Sequence, residues 1–255
     1  MAWLDGDPSQ PYRIHEFDFC CLQFIDIAAN YDIMNDSMLE NINLRFDHAA
    51  LKPDVGEMTI RNLCDEARRY RFFSVAVNPA WVPLAGNELR SSDVRILTVS
   101  GFPLGAGRTD IKVAEAVKGI GDGAHEIDMV ANIGWLVENN FGRVEQEIAE
   151  VRSVLPHNVI LKVIIEAGCL TQQQQVAATA AVINGGGQFV KTCTGFFGGA
   201  TVEQVQTLFA AAGGQIEVKA SGGIRTLKQC LELLRAGATR LGSSVSVEIM
   251  QEIDR

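Results

Sequence analysis

The chain has 255 residues, 47% of them hydrophobic and 21% charged, and its 31 acidic residues outnumber 22 Lys and Arg for a net charge of −9. That is a globular composition with ample core material, and its acidic balance argues against nucleic acid or anionic membrane as partners. No apolar run approaches the roughly 20 residues that span a bilayer. The six cysteines form neither a CxxC pair nor a Cys/His cluster, as expected of reduced thiols in a cytoplasmic protein. With Asp5 and Asp7 near the start and no basic leader segment, a secretory signal is not expected either.

Residues 1–41 stand apart. Pro8 and Pro11 break the start, and a mixed apolar stretch follows from Phe17 to Tyr31. The expectation is an N-terminal extension, either a peripheral helix or a tail, ahead of one domain over residues 42–255. From Leu44 onward, short β-branched or apolar runs alternate with amphipathic segments. Strands are predicted at Leu44–Asp47, Phe73–Val77, Arg95–Val99, Glu126–Met129, Ile160–Ile165, Phe189–Lys191, Ile216–Lys219 and Arg240–Gly242. Helices are predicted at Thr59–Tyr70, Ile111–Ile120, Val144–Val154, Thr171–Ile183, Val202–Ala212 and Leu227–Arg235.

Thr171, Thr201 and Thr226 stand where N-caps belong. Gly185–Gly187, Gly213–Gly214 and Gly237 stand where helices stop. The Gly185–Gly187 run therefore reads as a chain reversal, not a phosphate cradle. Strand ends recur about every 28 residues, close to the roughly 30 that a strand, a crossover helix and two loops occupy. Eight such units predict a single (β/α)8 TIM barrel, with the extension added at its N-terminus. A dinucleotide-binding sheet of similar rhythm would carry GxGxxG after its first strand, and none is there.

In such a barrel the chemistry lies at the C-terminal ends of the strands. The polar residues predicted there are Asp47, Asp128, Lys162, Glu166, Lys191 and Lys219. A lone strand-end lysine is more often a snorkelling chain or an ion pair. Lys191 and Lys219, however, close neighbouring strands about 4.8 Å apart. Burial and mutual repulsion both lower a lysine pKa, and a neutral lysine can attack a carbonyl. Alternation puts Glu126 and Asp128 on one strand face, where Asp128 can orient a lysine, relay protons or form a plain salt bridge. His48 and His125 read as structural. Ser221-Gly222-Gly223 after strand 7 and Gly242-Ser243-Ser244 after strand 8, with a helix expected to open at Ser243, form a candidate phosphate site.

Phe189-Val190-Lys191-Thr192-Cys193-Thr194-Gly195-Phe196, Val218-Lys219-Ala220-Ser221-Gly222-Gly223-Ile224-Arg225-Thr226 and Glu126-Ile127-Asp128-Met129-Val130-Ala131-Asn132-Ile133-Gly134 closely resemble segments of the deoxyribose-phosphate aldolases. So do Val99–Gly105, Leu161–Glu166 and Asp47–Pro53, and the resemblance runs from Leu44 to Glu248. It implies a class I lyase of deoxyribonucleotide catabolism that interconverts 2-deoxyribose 5-phosphate with glyceraldehyde 3-phosphate and acetaldehyde, without metal or cofactor. By the same resemblance Lys191 forms the imine, Lys219 and Asp128 assist, and Asp47, Lys162 and Thr194 line the pocket. Gly222, Gly223, Gly242, Ser243 and Ser244 would hold the phosphate, and a homo-oligomer, dimer or tetramer, is compatible with it.

The chain departs from the family pattern at Ala49 and Ala50, where threonine and leucine are expected, at Cys193 for serine, and at Ala167-Gly168 after Glu166. The first of these keeps open a related Schiff-base aldolase for another phosphorylated aldehyde pair. A non-catalytic phosphosugar-binding barrel is the alternative of another class, and retention of Lys191, Lys219 and Asp128 argues against it.

Overall fold

The computed structural model describes residues 38–253. The extension expected over residues 1–41 lies, as far as residue 37, outside the described residues, as do Cys20 and Cys21. The barrel unit begins at Asn41. Eight parallel strands run in the order β1 to β8, and β8 pairs back with β1 to close the barrel. They are β1 (Phe46–Ala50), β2 (Ser74–Val77), β3 (Arg95–Ser100), β4 (Glu126–Val130), β5 (Ile160–Ile164), β6 (Phe189–Lys191), β7 (Glu217–Ser221) and β8 (Arg240–Ser243).

The helices are α1 (Glu57–Tyr70), α2 (Val82–Glu88), α3 (Thr109–Gly121), α4 (Ile133–Val137), α5 (Phe141–Ser153), α6 (Gln172–Asn184), α7 (Val202–Ala212), α8 (Leu227–Arg235) and α9 (Ser246–Gln251). The expected (β/α)8 architecture is therefore present.

Local sequence explains each layer. In α1, Ile60, Leu63, Cys64 and Ala67 recur at helical spacing and are the buried residues, so one stripe packs inward. All five residues of β4 are buried, because one face meets helices and the other meets the lumen. A Cβ on Gly119 of α3 would lie 2.7 Å from Thr98 Cγ2, so glycine there lets the helix sit directly on β3. Thr171, Thr201 and Thr226 each cap a helix as expected, and each forms a full capping box with the glutamine three residues on.

Three readings need correction. The first strand is shifted: Ile42–Arg45 is a 3-10 turn that buries Ile42, so the strand starts at Phe46 and Asp47 sits near its beginning instead of its end. Lys219 likewise lies in the middle of β7, as Asp128 does in β4 and Lys162 in β5, rather than at the strand ends. The last helix opens at Ser246, not Ser243, because Ser243 still belongs to β8. The sequence reading also lacked α2, where Pro79 and Pro83 obscure the periodicity, and the one-turn α4.

Candidate active site

Parallel pairing carries the charged residues into one lumen. Asp128 pairs with Lys162, and Lys191 pairs with Lys219, which pairs with Arg240. Residues in register across a parallel sheet share a face, so all five point inward. The centre is Asp128 on β4. Its Oδ2 accepts hydrogen bonds from Lys191 Nζ and Lys219 Nζ, both at 2.7 Å, and its Oδ1 accepts one from Lys162 Nζ at 3.1 Å. One carboxylate thus gathers three ammonium groups. Lys219 is also ion-paired with Asp47, and Lys162 with Glu126. Asp47 Oδ1 accepts from Ser74 Oγ at 2.7 Å and from Arg240 Nη1 at 2.9 Å.

Burial and charge set these groups apart. Lys191 is 3% exposed, and burial pushes its amine down to about 8; Asp128 opposes that shift and Lys219 adds to it. Lys219 is equally buried, yet Asp128 and Asp47 outweigh burial and hold its pKa above the usual lysine value. Burial alone would raise the Asp128 carboxyl, but Lys162, Lys191 and Lys219 hold it well below the ordinary carboxylate range. Asp47 is lowered in the same way by Lys219, Lys162 and Arg240. At neutral pH the cluster therefore contains a fixed carboxylate, a fixed ammonium, and a lysine able to give up its proton.

A cavity of about 470 Å³ opens above it, and its walls include Lys191, Lys219, Asp47, Thr194 and the predicted glycine and serine loops. Asp128 and Lys162 lie beneath this cavity and do not line it. The β7–α8 loop turns through Gly222 and Gly223 at φ of 93° and 72°, a backbone region open to glycine. The Ser243 hydroxyl is already engaged, donating to the Ile224 carbonyl at 2.8 Å, whereas Ser244 is exposed on the rim. Ala49 and Ala76 give the β1–β2 wall methyl-sized side chains.

Three cations escaped the sequence reading: Lys52, Arg225 and Arg240. Lys52 and Arg225 are exposed cations on the cavity wall. Arg225 directly follows the Gly223-Ile224 turn, and that position was the available signal. Arg240 and Glu126 form a charged floor below the lysines, and only the barrel's closure brings them together. Glu166, which the sequence reading put at the end of strand 5, lies just beyond β5 and accepts from the Thr194 backbone N–H at 3.0 Å, steadying the loop beyond Lys191. His48 pairs with Glu66 on α1 and His125 Nδ1 accepts from the Ile96 N–H, so both are structural as read. Among the described residues no group of three or more His, Cys, Asp or Glu is placed to hold a metal ion.

A closed barrel with buried lysines and a carboxylate beneath a cavity at its mouth has the architecture of a (β/α)8-barrel enzyme. No protein-family model matches the chain. It is 45% identical to deoxyribose-phosphate aldolase 1 of Bacillus licheniformis over 84% of this chain and 96% of that protein. Its fold matches an aldolase designated QR15 with a TM-score of 0.80 and 36% identity, covering 84% and 96% of the two chains. It also matches the tetrameric deoxyribose phosphate aldolase from Aeropyrum pernix, with a TM-score of 0.79 and 27% identity over 88% and 97%. The chain belongs to the deoxyribose-phosphate aldolase family.

Proposed function

We propose that this enzyme cleaves 2-deoxy-D-ribose 5-phosphate reversibly to D-glyceraldehyde 3-phosphate and acetaldehyde through an imine on Lys191. The observation that carries the reading is the sharing of one Asp128 oxygen by Lys191 and Lys219. It leaves Lys191 a weak base next to a lysine that stays charged. The neutral Lys191 amine attacks the C1 carbonyl of the open-chain sugar, and water leaves to give the imine. The C3 hydroxyl then loses its proton, the C2–C3 bond breaks, and its electrons enter the imine to form an enamine. Glyceraldehyde 3-phosphate departs, C2 takes a proton, and hydrolysis releases acetaldehyde and restores the amine. Lys219 and Asp128 are the groups beside Lys191 that can move these protons.

The phosphate is assigned to the loops after β7 and β8, where Gly222, Gly223, Gly242, Ser243 and Ser244 offer backbone N–H groups and the Ser244 hydroxyl. Arg225 adds charge there. Asp47, Lys162 and Thr194 complete the proposed site, with Lys162 acting through Asp128. Residues 1–41 form the extension in this reading, and residues 42–255 the catalytic domain. We place the enzyme in the cytoplasm, in deoxyribonucleotide catabolism, and as a homo-oligomer like its A. pernix relative.

Borohydride reduction in the presence of acetaldehyde tests the central claim. The reduced adduct should map to Lys191, and Lys191→Ala should abolish turnover. An adduct confined to Lys162 or Lys219 would overturn the assignment.

A further inference from the structure

The lysine site rests on a charged floor that the proposed reaction does not touch. Arg240, on β8, is 7% exposed. Its Nη1 donates to Asp47 Oδ1 at 2.9 Å and to Glu126 Oε2 at 3.4 Å. Its guanidinium carbon lies 3.5 Å from the centre of the Phe73 ring and 5.6 Å from that of Phe189. Phe73 immediately precedes β2, while Glu126 and Phe189 open β4 and β6, so Arg240 sits at the end of the barrel away from the cavity. One row of pairings nevertheless joins Lys191 to Lys219 and Lys219 to Arg240. The strand tilt of a closed barrel carries that row from mouth to floor.

The lumen forms one charge system. Asp47 comes from β1, Glu126 and Asp128 from β4, Lys162 from β5, Lys191 from β6, Lys219 from β7 and Arg240 from β8. From β2 comes the neutral Ser74, and from β3 the inward Leu97 and Val99, which pair with Glu126 and Asp128. Arg95 reaches Glu126 Oε1 at 3.8 Å from a half-exposed position outside this set. With every group ionised, four buried cations face three buried carboxylates. The excess is one positive charge, and loss of one lysine proton cancels it. Lys191 is the cation best placed to lose it, because among the described residues it is ion-paired to an Asp128 oxygen that it shares with Lys219.

We infer that Arg240 is a positioning residue for the Lys191 amine: by occupying Asp47 and Glu126 from the floor, it limits the carboxylate charge available to keep Lys191 protonated. The inference deepens the proposed imine chemistry and rests on it for its catalytic meaning. It makes a prediction of sign that simple support of the fold does not. Removing the cation leaves three carboxylates facing three lysines, a balance that retains the Lys191 proton. Removing the Glu126 charge does the opposite.

The test is competitive acetylation of the substrate-free protein with acetic anhydride across a pH series, with Lys191 followed by mass spectrometry. This reads the amine whether or not an imine forms. Arg240→Met should move the Lys191 midpoint to higher pH by about one unit, roughly a tenfold loss of reactive amine near neutrality. Arg240→Lys, which keeps the charge, should return most of it. Glu126→Gln should move the midpoint to lower pH, and this arm stands even if Arg240→Met does not fold. Midpoints that stay in place, or that move the same way in Arg240→Met and Glu126→Gln, would overturn the inference. Borohydride trapping with acetaldehyde runs in parallel. A missing Lys191 adduct in the unaltered protein, with the acetylation shifts intact, would sink the aldolase mechanism and leave the floor's electrostatic role standing.

Discussion

Lys191 stands between opposing pulls. Burial and Lys219 push its proton off, while Asp128 holds it on, and the outcome is a pKa of about 8. Imine formation should therefore rise as pH passes through about 8 and level off above it. Replacing Lys219 with Met keeps most of the stem and removes the charge. Asp128 Oδ2 then serves Lys191 alone, and the repulsion from Lys219 is gone. Both changes raise the Lys191 pKa, so the pH–rate profile of imine formation should move to higher pH. Turnover near neutrality should fall by tenfold or more and partly recover in alkaline buffer, since one unit corresponds to about 1.4 kcal/mol. An unmoved profile with full activity would separate the two lysines functionally. On the rim, Ser244→Asp sets a carboxylate where the phosphate is assigned. KM for the phosphorylated sugar should rise severalfold, with little change for unphosphorylated deoxyribose; equal losses would point to folding instead.

Helices and strands divide the work differently. The capping boxes at Thr171, Thr201 and Thr226 define where α6, α7 and α8 begin. Thr171→Ala removes an exposed cap that does not line the cavity and should cost about 1 kcal/mol of stability in denaturant unfolding, with unchanged KM. Elements nearer the mouth are tied to each other. The Ala200 N–H donates to the Gly222 carbonyl at 3.0 Å, and a Cβ on Gly199 would approach that carbonyl oxygen to 2.8 Å, so the loop after β6 is fitted onto the proposed phosphate loop. These boundaries were readable because Thr, Gln and Gly act through local backbone geometry. α2 was not, since Pro83 and Gly86 within it and Pro79 just before it hide a helical segment that tertiary packing stabilises through Val82 and Ala85.

For the whole barrel, the lumen cluster is an acid-sensitive element. Asp47 and Asp128 are held far below their ordinary value of 3.8 when folded. Carboxyls depressed in this way add stability that is present above their unfolded pKa and is lost as pH falls through the folded value. The melting temperature should hold from neutrality down to about pH 4 and decline below it as the unfolded chain gains protons first. Asp128→Asn leaves Lys191 and Lys219 without their shared counter-ion. It should lower the melting temperature at neutral pH and flatten the acid limb in calorimetry, because breaking a buried pair leaves an uncompensated charge. A variant with unchanged stability and an unchanged acid limb would remove the cluster from any account of the fold's energetics.

The sequence by itself determined the eight-fold rhythm, the capped helices, and the segments bearing Lys191, Lys219 and Asp128, because periodicity and capping are properties of neighbouring residues. It could also place the two glycine–serine loops at strand mouths, since alternating strands and helices specify which end of each strand is which, while Thr194 was named through the family resemblance alone. Only the tertiary structure decided that Asp47 lies low in the lumen, that one Asp128 oxygen serves two lysines, and that Arg240 and Glu126 underlie them. Asp47 and Arg240 are 193 residues apart, and they meet because β8 closes against β1. Barrel closure and strand stagger set those distances, and both belong to the closed barrel as a whole.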